Sequence, residues 1–236
     1  MITQNLFEQK KVLVSFLGGT AGDMFTVSMN GKKIYEQPET FDFNRSTIKS
    51  LKFNSILELN RSVNKNSTKF ISTHDIRSAI KSDFHNINII VSDKNVQELC
   101  ILRQMYHQAL KIKVESDSSW FNVVSTYCKN KKFLKAANFW FGSARKLWLD
   151  EMAYRMTITK NLLDFSAIFN PEKFIDSLKE QGLNYNLNIL MHNYQKWSLK
   201  NNEYNFNKKN TIESMAYKLS KMNFNKIQGT VEYEPK

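Results

Sequence analysis

Gly18, Gly19 and Gly22 place three of the chain's seven glycines within five positions. They follow the apolar run Val12, Leu13, Val14, Ser15, Phe16, Leu17 and lead into Asp23, Met24 and Phe25. Glycine lets a backbone turn sharply and approach a ligand closely, so that N–H groups converge on an anion. The chemistry this pattern offers is phosphate binding. The N–H groups of Gly19, Thr20, Ala21, Gly22 and Asp23 form the cradle, and the Thr20 hydroxyl adds a donor. No Gly-Lys-Ser/Thr follows at Walker A spacing, so the lysine charge usual on terminal phosphates is missing. Asp23 competes with a phosphate for the positive end of the helix that follows. The same residues also describe a plain strand-to-helix turn capped by Asp23.

His74 is the one histidine of four whose context points to chemistry. A neutral imidazole at a strand end takes the proton of an attacking hydroxyl. Beside Asp75 it equally reads as a hydrogen-bonded turn residue. His85, His107 and His192 lack ligand spacing, so no metal site is expected. Ser92 and Asp93 close a further strand and offer polar groups there. Arg77 and Arg103 are available to bind an anion, or to form ordinary surface ion pairs.

These residues need elements to bring them together. Residues 11–17 read as a short strand buried on both faces, and 22–29 as a helix ended by Asn30 and Gly31. Residues 32–47, with Pro38, read as an irregular surface excursion. Residues 48–63 carry an imperfect helical pattern through Ile48, Leu51, Ile56, Leu59 and Val63. Strands are expected at 69–74 and 87–92, and a helix over 95–110. Residues 111–114 read as extended, and from 117 onward the chain is mostly helical. Phe133, Ala136, Ala137, Trp140, Ala144, Leu147 and Trp148 form a core stripe. Residues 162–169 return to the sheet, Pro171 opens a helix running to 179, and helices at 187–199 and 211–222 finish the chain. Strands alternating with helices predict an α/β fold: a parallel sheet with flanking helices and a helix-rich C-terminal half. Ligands then sit beyond the carboxyl ends of the strands, where the glycine turn, His74 and Ser92 all fall.

Composition bounds the rest. The 236 residues, three prolines and absence of a Gly/Ser linker fit a single α/β domain over 1–236, with 183–236 as a helical extension. A hydrophobic share of 42% excludes a wholly disordered chain. Cys100 and Cys128 are too few for a disulfide framework and read as buried thiols of a reducing compartment. The start lacks a secretory pattern, and no apolar run approaches a membrane span. A soluble, cytoplasmic protein with no membrane partner is expected. Abundant Asn, Lys, Ile and Phe fit an AT-rich microbial or viral genome, which would place the protein in host cytoplasm or a virion. The net charge of +12 is spread along the chain, with concentrations at Lys129, Lys131 and Lys132 and at Lys208 and Lys209. It describes a solvated basic surface, or one that meets nucleic acid.

The motif order resembles the sulfotransferase family of P-loop folds. An apolar strand feeds a phosphate-binding turn over 12–23, a later strand ends in Thr73-His74, and a strand, polar turn and helix span 87–106. Asp164 in a strand then precedes a segment like Asp-Leu-x-x-x-Pro that ends at Pro171. The resemblance covers roughly 11–182. It implies transfer of a sulfuryl group from 3′-phosphoadenosine 5′-phosphosulfate to a hydroxyl acceptor. Gly18, Gly19, Thr20, Ala21, Gly22, Asp23 and Ser92 would then bind the donor, and His74 would act as general base. The chain departs from the family's pattern in lacking the turn's basic residue. Ser72 stands where a lysine often precedes Thr-His, and Ser92 and Cys100 where an arginine and a serine hold the 3′-phosphate. The family's Arg-Lys-Gly motif is also missing near the carboxyl end. These departures leave a second implication: a catalytically degenerate P-loop fold that acts as a structural or assembly protein, for example among the subunits of a virus particle.

Overall fold

A computed structural model describes residues 11–33, 47–48, 60, 63–64, 68–110, 113–114, 119–158, 161–181, 185–202, 207–222 and 231–232. Strand β1 (Val12–Ser15) is buried along its whole length, and its neighbours explain why. It pairs in parallel with β3 (Phe70–Thr73) on one side and β4 (His85–Ile90) on the other. Beyond β3 lies β2 (Thr47–Ile48), and beyond β4 lies β6 (Leu162–Asp164), both parallel. The sheet order is β2-β3-β1-β4-β6. A central parallel strand is covered on both faces, which is why the run at 12–17 shows no polar alternation.

Register fixes the faces. Val14 lies beside Ser72, whose hydroxyl donates to Asp23 at 3.2 Å on helix α1 (Gly22–Met29). Leu13 lies beside Ile71 on the opposite face, packed with Val63 and with Ala79 of α2 (Ile76–Lys81). Alternate residues therefore serve α1 and α2 in turn. Asn30, just past α1, donates to the Phe70 carbonyl at 2.7 Å and accepts its N–H at 2.9 Å. That pair of bonds ties the end of the helix to the start of β3.

Helix α3 (Lys94–Leu110) begins with Asp93 accepting the N–H groups of Asn95 and Val96 at 2.8 and 3.0 Å. Helices α4 (Ser119–Lys129) and α5 (Phe133–Met156) follow. After β6, α6 (Pro171–Glu180) starts at Pro171, with Asn170 accepting from the Lys173 N–H at 3.2 Å. Proline at the first position and asparagine at the cap are the residues this geometry favours. Helices α7 (Leu187–Asn202) and α8 (Lys208–Ser220) come next. Two short strands, β5 (Lys113–Val114) and β7 (Val231–Glu232), pair antiparallel.

The chain divides into two compact units. The first, 1–97 with 152–203, holds the parallel sheet, and the 185–202 part of the expected C-terminal extension belongs to it. Its aromatic chain Phe25, Phe165, Phe174 and Tyr194 has ring centroids 4.9 to 5.4 Å apart and joins α1, the end of β6, α6 and α7. The Tyr194 hydroxyl donates to the Ile168 carbonyl at 2.7 Å, so a buried phenol keeps its partner. The second unit, 98–151 with 204–236, includes the buried residues Cys100, Ile101, Met105, Trp140, Phe141 and Met215.

Several expectations change. Thr47 and Ile48 form a strand, not the end of an excursion or the start of a helix; the rest of 34–59 lies outside the described residues. Helix α2 follows His74 in a segment where six residues are too few to show a period. Leu147 is 61% exposed, while Phe141 takes a buried place on α5. The helix turns so that 137, 141, 148 and 152 face inward.

Candidate functional site at the carboxyl edge of the sheet

Strand β1 hands its chain toward β3 and β2, whereas β4 hands its chain toward β6. Connections that part in this way open a crevice at the carboxyl ends, the usual ligand position of a parallel α/β sheet. Four strand ends meet that edge in the order His74, the glycine turn, Ser92 and Asp164, with neighbouring strands about 4.8 Å apart.

The turn after β1 runs directly into α1. Gly19 has φ 91° and Ala21 φ 60°, so both occupy the left-handed region, which Ala21 enters at a cost. Ala21 is the N-cap of α1, and its methyl side chain makes no capping hydrogen bond. Thr20 is fully buried and closes the turn on itself. Its hydroxyl donates to the Leu17 carbonyl at 2.7 Å and its N–H to the same oxygen at 3.3 Å. The hydroxyl expected to meet a phosphate thus serves the turn's own backbone. Gly22 has a steric reason to be glycine: an added Cβ would stand 2.0 to 2.5 Å from three ring atoms of Phe16. Asp23, in the first turn of α1, accepts the Ser72 hydroxyl, so its charge stands at the helix's positive end.

His74 lies against this turn although 58 positions separate it from Phe16. Its Nδ1 is 2.9 Å from the Phe16 carbonyl, and its ring meets the Phe16 ring edge-on at 4.6 Å between centroids. A carbonyl only accepts, so Nδ1 carries a proton, and in the neutral ring the lone pair is then on Nε2. Asp75 caps α2 through the Ser78 N–H at 3.0 Å and is not the partner of the imidazole.

Arg155 fastens this corner from behind. It is fully buried, donating to the Ser15 hydroxyl at 2.7 Å and to the His74 carbonyl at 2.8 Å. One guanidinium therefore spans the ends of β1 and β3. Its place was encoded in α5, where 148, 152 and 155 continue the inward stripe in steps of four and three. A basic residue on an apolar stripe is the signal that composition alone conceals.

Ser92 sits across β1 from His74, exposed, with its hydroxyl on the Asp164 carboxylate. Asp164 also accepts the N–H groups of Ser92 at 3.2 Å and Ser166 at 2.9 Å, and the Ser166 hydroxyl at 2.7 Å. The Ser166 hydroxyl in turn accepts the Ser92 and Asp93 N–H groups at 2.8 and 2.9 Å. The cluster joins the ends of β4 and β6. A phosphate dianion at Ser92 would face a carboxylate, so this corner does not suit a 3′-phosphate.

Arg77 stacks on Tyr154, its guanidinium carbon 4.4 Å from the ring centroid. Cys100 and Cys128 are buried thiols, each pushed up to about 12 by loss of solvation. Among the described residues no group of three or more His, Cys, Asp or Glu side chains converges as metal ligands, and no helix is long and apolar enough to cross a membrane. No family model, curated protein or solved structure matches the chain.

Proposed function

We propose that the chain is a divergent sulfotransferase-like protein whose carboxyl-edge crevice takes the 5′ end of a phosphoadenosine donor and passes its sulfuryl group to a hydroxyl acceptor. The observation that carries the reading is the 2.9 Å contact of His74 Nδ1 with the Phe16 carbonyl. With Nδ1–H held by the Phe16 carbonyl, the neutral ring offers Nε2 as a proton acceptor. In this scheme Nε2 takes the acceptor's hydroxyl proton as the oxygen attacks sulfur. The S–O bond to the donor phosphate breaks, and the phosphate carries away the electron pair. The positive end of α1, which starts at the N-cap Ala21, favours that growing negative charge. The donor's 3′-phosphate is not assigned to Ser92, because Asp164 already takes that hydroxyl.

The test is calorimetric titration with adenosine 3′,5′-bisphosphate and with adenosine 5′-monophosphate. The reading expects both to bind with similar affinity, since the 5′-phosphate carries the contact, and His74→Ala to bind them as well as the parent. In transfer assays with radiolabelled donor and phenolic, sugar and aliphatic alcohols, His74→Ala is expected to lower turnover about 10²- to 10⁴-fold. Absence of heat from either nucleotide at millimolar concentration would count against donor binding.

A second reading has its own observation. Thr20 turned inward, Phe16 over Gly22, and Asp23 in the first turn make a closed and self-satisfied turn. That geometry supports a P-loop fold kept for shape in an assembly, and it predicts the calorimetric silence just described.

A further inference from the structure

A cavity of about 410 Å³ lies wholly within the second unit, between α3 and α5 and bounded by the first residue of α8. Its volume falls within the range of small-molecule sites. Helical spacing explains its lining. Asn138, Phe141, Gly142 and Arg145 stand at i, i+3, i+4 and i+7 on α5, and Glu98 and Leu102 stand one turn apart on α3.

The middle of the α5 stripe has no side chain. Gly142 lies in the interior of a 24-residue helix, where glycine is a poorer choice than alanine. Its φ is not positive, and an added Cβ would meet nothing within 4 Å. Neither turn geometry nor close packing among the described residues accounts for this glycine. Its effect is to leave bare, exposed backbone on the cavity wall, which a ligand can approach closely.

The charges around that wall are held in place. Arg145 donates to Glu98 Oε2 through Nε at 3.0 Å and to Oε1 through Nη2, a forked pair that fixes the guanidinium plane. Its Nη1 donates to no described residue, so those N–H groups remain for another acceptor. The Lys208 ammonium stands 5.8 Å from the centroid of the buried Phe141 ring, and among the described residues no carboxylate pairs with it. Lys208 also opens α8, whose first turn carries no acidic residue, so the positive end of that helix has the same sign. Two cations and one carboxylate leave one positive charge in surplus. Leu102 adds an apolar wall, and Asn138, whose Nδ2 donates to the Leu134 carbonyl at 2.8 Å, a neutral polar one. The fitting ligand carries a single negative charge on a flat, apolar body.

We propose that this cavity binds an aromatic carboxylate, with its ring over Gly142 and against Leu102 and its carboxylate between Arg145 Nη1 and the Lys208 ammonium. One carboxylate matches the one surplus charge, whereas a phosphate dianion would exceed it and face Glu98. The site uses no residue of the His74 edge, so it stands or falls independently of the transfer reaction.

The test titrates the full ¹⁵N-labelled chain with phenylacetate, with its neutral counterpart phenylacetamide, with acetate and with inorganic phosphate. The Gly142 amide and the Arg145 Nε–H are followed by NMR. Saturable shifts of both are expected with phenylacetate. Phenylacetamide is expected to bind about tenfold or more weakly, the factor for one charge-assisted hydrogen bond. Acetate, which lacks the ring, and phosphate should not saturate at the same concentrations. Lys208→Met should weaken phenylacetate by a similar factor and leave phenylacetamide unchanged. Gly142→Leu fills the cavity without a folding penalty, because leucine is the better helix former and its Cβ has room. Its urea midpoint should hold or rise while binding is lost. Phenylacetamide or phosphate binding as tightly as phenylacetate, parent-like binding by Gly142→Leu, or no shift at millimolar phenylacetate would each overturn the proposal.

Discussion

Gly22→Ala separates local helix preference from tertiary packing, because the two act in opposite directions. Gly22 opens α1 with an ordinary backbone; among the described glycines, positive φ occurs at Gly19 and Gly31. By propensity alone, alanine in a helix should stabilise by about 0.5–1 kcal/mol. The new Cβ, however, would lie 2.0 Å from Phe16 Cγ, where ordinary contact starts at 3.4 Å, so the ring must retreat by about 1.4 Å. It has little room to do so. Phe16 is 2% exposed, its N–H donates to the Thr73 carbonyl at 3.1 Å, and its own carbonyl holds His74. Overpacking of this kind costs about 1–3 kcal/mol. The net expectation is destabilisation of roughly 1–2 kcal/mol, which in urea lowers the midpoint by about 0.5–1 M. The control is a double-mutant cycle with Phe16→Ala. Once the ring is gone, Gly22→Ala should be neutral or stabilising, giving a coupling of about 1–3 kcal/mol. An unchanged or raised midpoint for Gly22→Ala in the parent background would refute the packing argument. It would also remove the reason given for that glycine.

Arg155→Lys keeps the charge but cannot span Ser15 and His74 at once, so urea unfolding should show a loss of about 1.5–3 kcal/mol; an unchanged midpoint would contradict the clamp. Asp164→Asn loses the acceptor of the Ser92 hydroxyl and should speed amide exchange at 91–93 and 164–166, with about 1–2 kcal/mol lost; protection equal to the parent would count against the cluster. Because burial raises the Cys100 thiol from 9.0 to about 12, the folded protein holds a proton that the unfolded chain releases above pH 9. Stability should therefore fall as pH rises from about 9 to 12, and Cys100→Ala should flatten that slope. At pH 8 both native thiols should resist a thiol reagent until urea unfolds the chain, and rapid stoichiometric labelling would be the contrary result.

Much of the sheet was legible because buried strands and glycine turns leave strong local marks. Val12, Leu13 and Val14 announced β1, Gly18 to Gly22 its turn, and Asn30 with Gly31 the end of α1. Parallel α/β logic also brought His74 beside that turn, since both close neighbouring strands. Long-range partners were not legible. No spacing links Arg155 to Ser15, or Asp164 to Ser92; those contacts exist only once β1, β3, β4 and β6 lie side by side. Thr20 shows the limit most clearly. Its type fits a phosphate donor, but its direction is decided by the Leu17 carbonyl three residues away. Strand β2 was missed for a different reason: two residues carry no period, and its place depends on pairing with β3.

If the glycine turn and the His74 imidazole form one binding edge for a nucleotide phosphate, both must respond to the same ligand. The most direct measurement is a ¹⁵N NMR titration with adenosine 3′,5′-bisphosphate that follows the amides of residues 18–23 and both ring nitrogens of His74. Saturable shifts of the turn amides and of His74 Nε2 are expected. Nδ1 should remain the protonated nitrogen, because the Phe16 carbonyl holds it. Unmoved turn amides at millimolar ligand, or a ring protonated on Nε2 with a bare Nδ1, would contradict it.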